Sequence, residues 1–132
     1  LGLGCIGELE QPITENEMLH YIKKKLNIQY IRHTQISDRL ISQVALCGGS
    51  GAEFISQAIR EKAGIYITAD VKYHDFFNTE NQIVIADIGH FESEQCIKEV
   101  FYEQISKKFI NFAILMAECD KSPVKYSYLA ED

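Results

Sequence analysis

The apolar residues of this chain recur with two different periods, which predict an alternation of strands and helices. Short apolar or alternating runs predict six strands, at residues 5–10, 28–33, 40–47, 65–69, 82–87 and 111–119. Apolar residues at helical spacing predict four helices, at residues 15–26, 53–63, 72–77 and 93–109. Strand, helix and strand in succession are typical of parallel βαβ units with right-handed crossovers. The pattern therefore predicts one α/β domain over residues 1–132, with a mostly parallel sheet of about five or six strands and helices on both faces.

Local signals predict where several of these elements begin, end and face. Thr14 followed by Glu17 predicts a capping box at the first helix, and Asn27 is predicted to end that helix. Gly64 is predicted to stop the second helix. The apolar side chains predicted to pack inward in the third and fourth helices are Tyr73, Phe76, Phe77, Ile97, Val100, Phe101 and Ile105. The polar tail has strand character at residues 124–128.

Composition indicates a globular protein and argues against two classes of partner. The hydrophobic share is 46% and the charged share is 24%, as in soluble folded proteins. The formal net charge of −6 argues against nucleic acids and anionic membranes, because both are bound by clustered Lys and Arg. The basic run from Lys23 to Lys25 lies in a helical pattern, which favours a solvated face.

The cysteines predict the cellular compartment of the protein, and the first residues bear on whether the chain is part of a longer one. Cys5, Cys47, Cys96 and Cys119 form no CxxC pair, so buried free thiols in a reducing cytosol are favoured over disulfides. No apolar run approaches the roughly 20 residues of a membrane span. We therefore expect a cytoplasmic protein that does not enter the membrane. The chain begins without Met, which is consistent with a piece of something longer.

Three groups of polar residues follow predicted strands, and ligands of open α/β sheets collect at the carboxyl ends of strands. The first group is the glycine loop, Gly48, Gly49, Ser50 and Gly51. Its free amides and the following helix start could receive a phosphate or a carboxylate. The alternative is a tight turn in which glycine only supplies unusual backbone angles. The loop lacks the Lys-Ser/Thr of a P-loop, and no GxSxG elbow surrounds Ser50, which disfavours a nucleophile there.

The second group follows the strand at residues 65–69 and contains Asp70, His74 and Asp75. Two carboxylates and an imidazole within six residues could form a general base, an orienting pair or the outer shell of a metal site. The alternative makes Asp70 a helix cap and leaves His74 and Asp75 solvated.

The third group is His90 and Glu94, which lie where a strand gives way to a helix. Residues four apart lie on one helix face, so an imidazole nitrogen and a carboxylate oxygen could converge on one metal ion. A protein-held divalent ion needs about three or four ligands, so the pair is half a site at best. The alternative for His90 taken alone is a structural histidine.

Four motifs in order resemble the C-terminal half of the Nif-three-like proteins, the dinuclear metal centre family often labelled GTP cyclohydrolase type-two homologues. They are Gly4-Cys-Ile-Gly-Glu-Leu9, Val44-Ala-Leu-Cys-Gly-Gly-Ser-Gly51, Ile67-Thr-Ala-Asp-Val-Lys-Tyr-His-Asp75 and Asp87-Ile-Gly-His-Phe-Glu-Ser-Glu94. The resemblance covers most of the chain. Relatives usually have glycine where this chain has Ala69.

The resemblance implies half of a larger fold and half of a metal site. It implies that His90 and Glu94 bind two divalent ions, which could be zinc, iron, manganese or magnesium, with further His and Asp ligands from an N-terminal half. It also implies that Asp70, Lys72, His74 and the glycine loop line the cleft beside the metals. Asp70 and His74 are then the candidate catalytic residues, and Lys72 and the glycine loop the candidate cofactor-binding residues. Family members resemble toroidal homo-oligomers, commonly hexamers.

Three hypotheses about function follow from the residues and the resemblance together. In the first, the chain is the C-terminal domain of a dinuclear metal-dependent hydrolase-like protein and is inactive in isolation. In the second, it is part of a regulatory or adaptor protein whose metals stabilise an assembly and whose glycine loop senses a nucleotide or another phosphorylated small molecule. In the third, it is a plain scaffold domain with no ligand. Fold alone does not decide between them.

Overall fold

The computed structural model describes residues 2–119 and 121–127 of the chain. The chain divides into two compact units, unit 1 up to Glu94 and unit 2 from Gln95 onward. The prediction of one domain over residues 1–132 stays a prediction. No helix in the described part is long and apolar enough to cross a membrane.

Unit 1 is an α/β unit built around one sheet. Its strands are β1 (Cys5–Thr14), β2 (Arg32–His33), β3 (Leu40–Ser50), β4 (Ile65–Ala69) and β5 (Val84–Asp87). Its helices are α1 (Glu15–Leu26), α2 (Ile55–Arg60) and α3 (His90–Glu94), with 3₁₀ turns at Ala52–Phe54 and Tyr73–Thr79. The sheet has five strands in the order β1-β3-β4-β5-β2.

The centre of the sheet is parallel and its edges are antiparallel. β3, β4 and β5 run parallel, whereas β1 pairs antiparallel with β3 and β2 pairs antiparallel with β5. The predicted α/β fold with a mostly parallel sheet is therefore confirmed. Pairing between β1 and β3 is irregular between Glu8 and Ile13, around Pro12, which has no amide hydrogen to donate to a ladder.

Both faces of the sheet are buried, as the continuous apolar runs predict. One face packs with α1 in a cluster formed by Met18, Leu19, Ile22, Ile28, Ile41, Val44, Ile65, Val84, Ala86 and Ile88. The other face packs with α2 in a cluster formed by Ala45, Cys47, Ile55, Ala58, Ala63, Tyr66, Val71, Ile83 and Ile85. Alternate residues of the parallel strands thus serve two cores, which holds the carboxyl ends of β3, β4 and β5 at one edge.

The predicted capping of α1 is confirmed. The Glu17 amide donates to Thr14 Oγ1 at 3.2 Å, and the Thr14 amide donates to Glu17 Oε2 at 2.8 Å. Asn27 ends the helix with a φ of 52°, in the left-handed region that Asn tolerates.

Several boundaries and orientations predicted in unit 1 were wrong. The strand predicted at residues 28–33 is reduced to Arg32–His33, and the second helix ends at Arg60 rather than at Gly64. Lys62 supplies the left-handed residue after that helix, with a φ of 62°. Gly64 instead allows close packing, because a Cβ there would lie 3.2 Å from Ile41 Cγ1.

The third predicted helix is a 3₁₀ helix whose aromatic residues do not all pack inward. Phe76 is partly buried against the second core, but Tyr73 is 72% exposed and Phe77 is 65% exposed. The Tyr73 and Phe77 rings instead pack edge-on against each other outside the core, with their centroids 5.2 Å apart.

Unit 2 departs furthest from the sequence pattern. Its helix α4 (Ile97–Lys108) lies within the predicted helix at residues 93–109, whose first residues instead belong to α3. The side chains predicted to pack inward along it, Ile97, Val100, Phe101 and Ile105, are between 41% and 58% exposed. The described residues after α4 form no strand, so the strand predicted at residues 111–119 was wrong. Residues 124–127 are not in a strand either, and residue 128 lies outside the described part.

The four cysteines are free thiols, as predicted. Only Cys47 is buried, where it lies in the second core, so the expectation of burial was wrong for Cys5, Cys96 and Cys119.

Candidate metal centre

The site lies where β3, β4 and β5 end. The glycine loop closes β3, Asp70 directly follows β4, and Gly89 and His90 follow β5 by two and three residues. Because parallel strands end at one edge of the sheet, these segments meet there. The convergence expected from sequence is therefore confirmed for Gly49, Asp70, His90 and Glu94, whose atoms lie in contact or hydrogen-bond range of one another.

The imidazole of His90 lies between two carboxylates. Its Nδ1 is 2.5 Å from Asp70 Oδ2, and its Nε2 is 3.2 Å from Glu94 Oε2. His90 and Glu94 are the first and last residues of α3, so one helical turn sets their spacing. All three side chains are about half exposed, at 51–52%, so the site is open to solvent.

This arrangement favours the protonated imidazole when nothing else neutralises the carboxylates. The hydrogen bond that His90 donates to Asp70, the charge of Asp70 and the charge of Glu94 together raise the pKa of His90 above its usual 6.5. Positive charge is therefore stabilised between His90 Nε2 and the Glu94 carboxylate.

The same geometry fits a divalent metal ion. In the neutral ring, a proton on Nδ1 would be donated to Asp70, which leaves the Nε2 lone pair facing Glu94 Oε2. A histidine that binds a metal through one nitrogen commonly donates the other N–H to a carboxylate. No group of three or more His, Cys, Asp or Glu residues in the described part is arranged to hold an ion alone.

Gly49 makes the close approach of Glu94 possible. Its φ is +67°, and a Cβ on it would lie 2.6 Å from Glu94 Oε1 and 3.5 Å from His90 Cε1. The Gly49 amide donates to Ser93 Oγ at 2.8 Å, and the Ser93 hydroxyl donates to His90 O at the same distance. The glycine loop is thus tied to α3 through Ser93.

The hydroxyls of two buried residues, Thr68 and Tyr66, hydrogen-bond to the main chain of the glycine loop. Thr68 Oγ1 donates to Gly49 O at 3.1 Å, and the Tyr66 hydroxyl donates to Gly51 O at 2.8 Å. Burial raises the pKa of Tyr66 to about 12, so this phenol stays a donor. These bonds fix the loop as a turn beside Glu94. Anion binding by Gly48, Gly49, Ser50, Gly51 and Lys72 stays a prediction.

The other residues singled out after β4 lie along the 3₁₀ helix. The Lys72 amide donates to Asp75 Oδ2 at 3.2 Å, so Asp75 caps this helix and Asp70, bonded to His90, does not. His74 packs edge-on against the Tyr73 ring, with centroids 5.4 Å apart. A catalytic role for His74 stays a prediction.

Sequence reasoning missed two residues that shape the site, Ser93 and Asp87. Asp87 ends β5 with its side chain 6% exposed, and its carboxylate is hydrogen-bonded on both oxygens. A signal was available, because a charged residue that ends a buried apolar strand must be paired to be tolerated. Ser93 gave no comparable signal, since serine is common at helix starts.

Fold and site together define an α/β unit with a His–Glu pair at the carboxyl edge of a mainly parallel sheet. Residues 1–123 match the family model of Duf34/NIF3 (NGG1p interacting factor 3). The chain belongs to the Duf34/NIF3 family.

Named relatives and solved structures agree with this membership. The chain is 40% identical over 130 residues to the GTP cyclohydrolase 1 type 2 homolog of Staphylococcus epidermidis, covering 95% of this chain and 35% of that protein. It superposes on the crystal structure of Staphylococcus aureus protein SA1388 with a TM-score of 0.81 at 27% identity, over 95% of this chain and 37% of that one. It superposes on the crystal structure of a Bacillus cereus protein related to NIF3 with a TM-score of 0.80 at 27% identity, over 96% of this chain and 36% of that one. The chain thus spans about a third of the length of the curated relatives it matches.

Proposed function

We propose that this chain contributes one histidine and one glutamate ligand, His90 and Glu94, to a two-metal site of a hydrolase-like protein. The observation that carries the proposal is the position of His90 between Asp70 and Glu94. Its Nε2 faces the Glu94 carboxylate at 3.2 Å while Nδ1 is held by Asp70 at 2.5 Å. A histidine that binds a metal through Nε2 commonly donates its Nδ1–H to a carboxylate, as His90 can to Asp70, and the Glu94 carboxylate beside Nε2 is a second metal ligand by type.

Each residue of the chain then has a separate task. His90 Nε2 and Glu94 bind the ions, and Asp70 holds the ring by accepting a hydrogen bond from its Nδ1–H. Gly49 leaves room for the Glu94 carboxylate, and Ser93 keeps the glycine loop against α3. Bound divalent ions would supply Lewis-acid activation of water for hydrolysis.

The ions need further ligands, and in this proposal these come from sequence outside the chain. Two ligands fall short of the roughly three or four that hold a divalent ion. The relatives are about three times as long as the region matched here, so a larger protein of this family has sequence to supply the rest. The metals are zinc, iron, manganese or magnesium, and the assembled protein is a homo-oligomer.

Metal titration by calorimetry tests the proposal. Zn²⁺ and Mn²⁺ are titrated into this chain and into the full polypeptide that its gene encodes. We expect tight binding by the full polypeptide, lost in His90→Ala and Glu94→Gln, because each variant removes one donor atom of the site. Matched controls are His20→Ala, at an exposed position in α1, and Glu92→Gln, which makes the same charge change within α3. Equal binding by Glu94→Gln and Glu92→Gln would contradict the proposal.

Turnover separates the hydrolase-like function from a regulatory one. Hydrolysis of a nucleotide or another phosphorylated small molecule by the metal-loaded full polypeptide, abolished in His90→Ala, supports the enzyme. Saturable binding of the same molecules without turnover, together with metal-dependent assembly, supports a regulatory or adaptor protein instead.

Metal affinity is expected to fall as the pH falls, and to begin falling above pH 6.5. The pKa of His90 is raised, so a proton occupies Nε2 at a higher pH than in an ordinary imidazole and competes with the metal. Calorimetric titration between about pH 8 and pH 6 measures the effect. Asp70→Asn lowers the pKa of His90 and should move the onset to lower pH. A constant affinity over this range would exclude His90 as a ligand.

A further inference from the structure

One buried carboxylate holds the main chain on both sides of the site. Asp87 Oδ1 accepts the Gly89 amide at 3.1 Å, and Oδ2 accepts the Val71 amide at 3.0 Å. Gly89 directly precedes His90, and Val71 directly follows Asp70. Asp87 therefore contacts the residues adjacent to both partners of the hydrogen bond between His90 Nδ1 and Asp70.

Arg32 completes this clamp from β2. Its terminal nitrogen donates to Asp87 Oδ2 at 2.6 Å and to Val71 O at 2.5 Å. Val71 is thus held through its N–H by Asp87 and through its carbonyl by Arg32. The guanidinium also lies over the Phe76 ring, 5.4 Å from the centroid, which limits its movement.

Each segment that Asp87 joins contains a residue in the left-handed backbone region. Asp70 has a φ of +53° and Gly89 a φ of +88°, both in the left-handed region. Glycine adopts this conformation freely, whereas a residue with a side chain, such as Asp70, adopts it at some cost in free energy. The clamp of Asp87 and Arg32 supplies restraint at the residue next to Asp70 and directly at Gly89.

We propose that Asp87, assisted by Arg32, is a positioning residue that sets the geometry of Asp70 and His90. It does not bind metal, because both of its oxygens are occupied and its side chain is buried. The expected effect of Asp87 on metal affinity rests on the proposed function, whereas the effect of Asp87 on the His90 ring does not.

The variant Asp87→Asn tests whether the side chain must accept hydrogen bonds from the Val71 and Gly89 amides at the same time. It keeps the shape of the side chain but offers one carbonyl oxygen and an NH₂ group in place of two acceptors. The NH₂ group would face either the Val71 or the Gly89 amide, donor against donor. Asp87→Asn must therefore lose its hydrogen bond to one of these two amides. It also removes the negative charge that pairs with Arg32.

The first measurement is metal affinity of the full polypeptide by calorimetry with Zn²⁺. We expect Asp87→Asn to bind about 10–100-fold more weakly, the range observed when outer-shell partners of metal ligands are removed. Asp38→Asn, at an exposed position, is the matched control and should bind like the wild type.

The second measurement reads the His90 ring directly in the metal-free protein. Ring ¹⁵N chemical shifts, recorded on the alkaline plateau of a pH titration, report which nitrogen of the neutral imidazole carries the proton. We expect the proton on Nδ1 in the wild type and in Asp38→Asn. In Asp87→Asn it should move toward the tautomer mixture of a free imidazole. A merely structural ion pair would change stability and leave this tautomer unchanged.

The outcomes distinguish failure of this inference from failure of the proposed function. If the wild type binds no metal, the proposed function is wrong and the tautomer alone decides the role of Asp87. An unchanged tautomer in a folded Asp87→Asn protein overturns the inference, whatever the affinity.

A second variant covers the case in which Asp87→Asn does not fold. Arg32→Met removes the guanidinium, which is largely exposed, and leaves the two amide contacts of Asp87 in place. Arg32→Met should shift the tautomer equilibrium of His90 in the same direction as Asp87→Asn, but by a smaller amount. Arg60→Met, at an exposed position at the end of α2, is its control. A His90 tautomer identical in Arg32→Met and Arg60→Met would overturn the part assigned to Arg32. If Asp87→Asn also fails to fold, this result would overturn the whole inference.

Discussion

Gly49→Ala is expected to lower the Zn²⁺ affinity of the full polypeptide by at least about tenfold. A Cβ at this position would lie 2.6 Å from Glu94 Oε1, so the carboxylate must move away from the place where it faces His90 Nε2. The Glu94 side chain is flexible and half exposed, so it can move without disrupting the core. The left-handed φ of +67° adds a cost of about 1–2 kcal/mol to the folded state.

Two measurements separate these effects of Gly49→Ala. Urea unfolding reports the backbone cost, and calorimetry with Zn²⁺ reports the displacement of Glu94. Gly7→Ala is the control, because a Cβ at Gly7 would meet no atom within 4 Å. A destabilised protein with unchanged metal affinity would show that the position of Glu94 is not important for binding.

Ile65→Ala is expected to lower the free energy of unfolding by about 2–5 kcal/mol. Ile65 is 0% exposed in the central strand β4, which pairs with both β3 and β5, and it belongs to the core that packs with α1. Removing its methyl and methylene groups leaves a cavity that the two neighbouring strands cannot close without losing their hydrogen bonds.

The control for Ile65→Ala is the same substitution at an edge position. Ile6 lies in β1 and is 42% exposed, so Ile6→Ala should cost well under half as much. The change is measured as a shift in the urea midpoint at constant slope. Equal losses in the two variants would mean that the parallel centre of the sheet contributes no more to stability than its edge.

The sequence predicted the parts of unit 1 whose signals are local. The capping box of Thr14 and Glu17 and the strand at residues 65–69 are both present in the structure. Each depends on neighbouring residues alone, through a hydrogen bond within one helical turn or a continuous apolar run.

The spacing of His90 and Glu94 was predictable for the same reason, because one turn of helix brings residues four apart together. The contact of His90 with Asp70 was predictable only as a convergence of strand ends. Which ring nitrogen faces which carboxylate depends on how β4 and β5 lie side by side, and no local pattern contains that information.

Two kinds of feature were misplaced, one a helix end and the other a buried face. The second helix was predicted to continue to Gly64, but Lys62 adopts the left-handed conformation and the chain turns earlier. Along α4, apolar spacing predicted a helix correctly, yet Ile97, Val100, Phe101 and Ile105 are exposed. Periodicity identifies an apolar face, whereas burial depends on a partner for that face.

The sequence by itself therefore determined the α/β class, the capping of α1 and the pairing of His90 with Glu94, because all three depend on local spacing. Only the tertiary structure decided the antiparallel edges of the sheet, the burial of Asp87, its clamp with Arg32, and the placing of Gly49 against Glu94. These contacts join residues that are 16 to 55 positions apart, such as Asp87 with Val71 and Asp87 with Arg32. The contacts around Gly49 and Asp87 form because parallel packing of β3, β4 and β5 brings distant loops to one edge, and Arg32 reaches Asp87 because β2 pairs antiparallel with β5. Both kinds of pairing depend on the whole core.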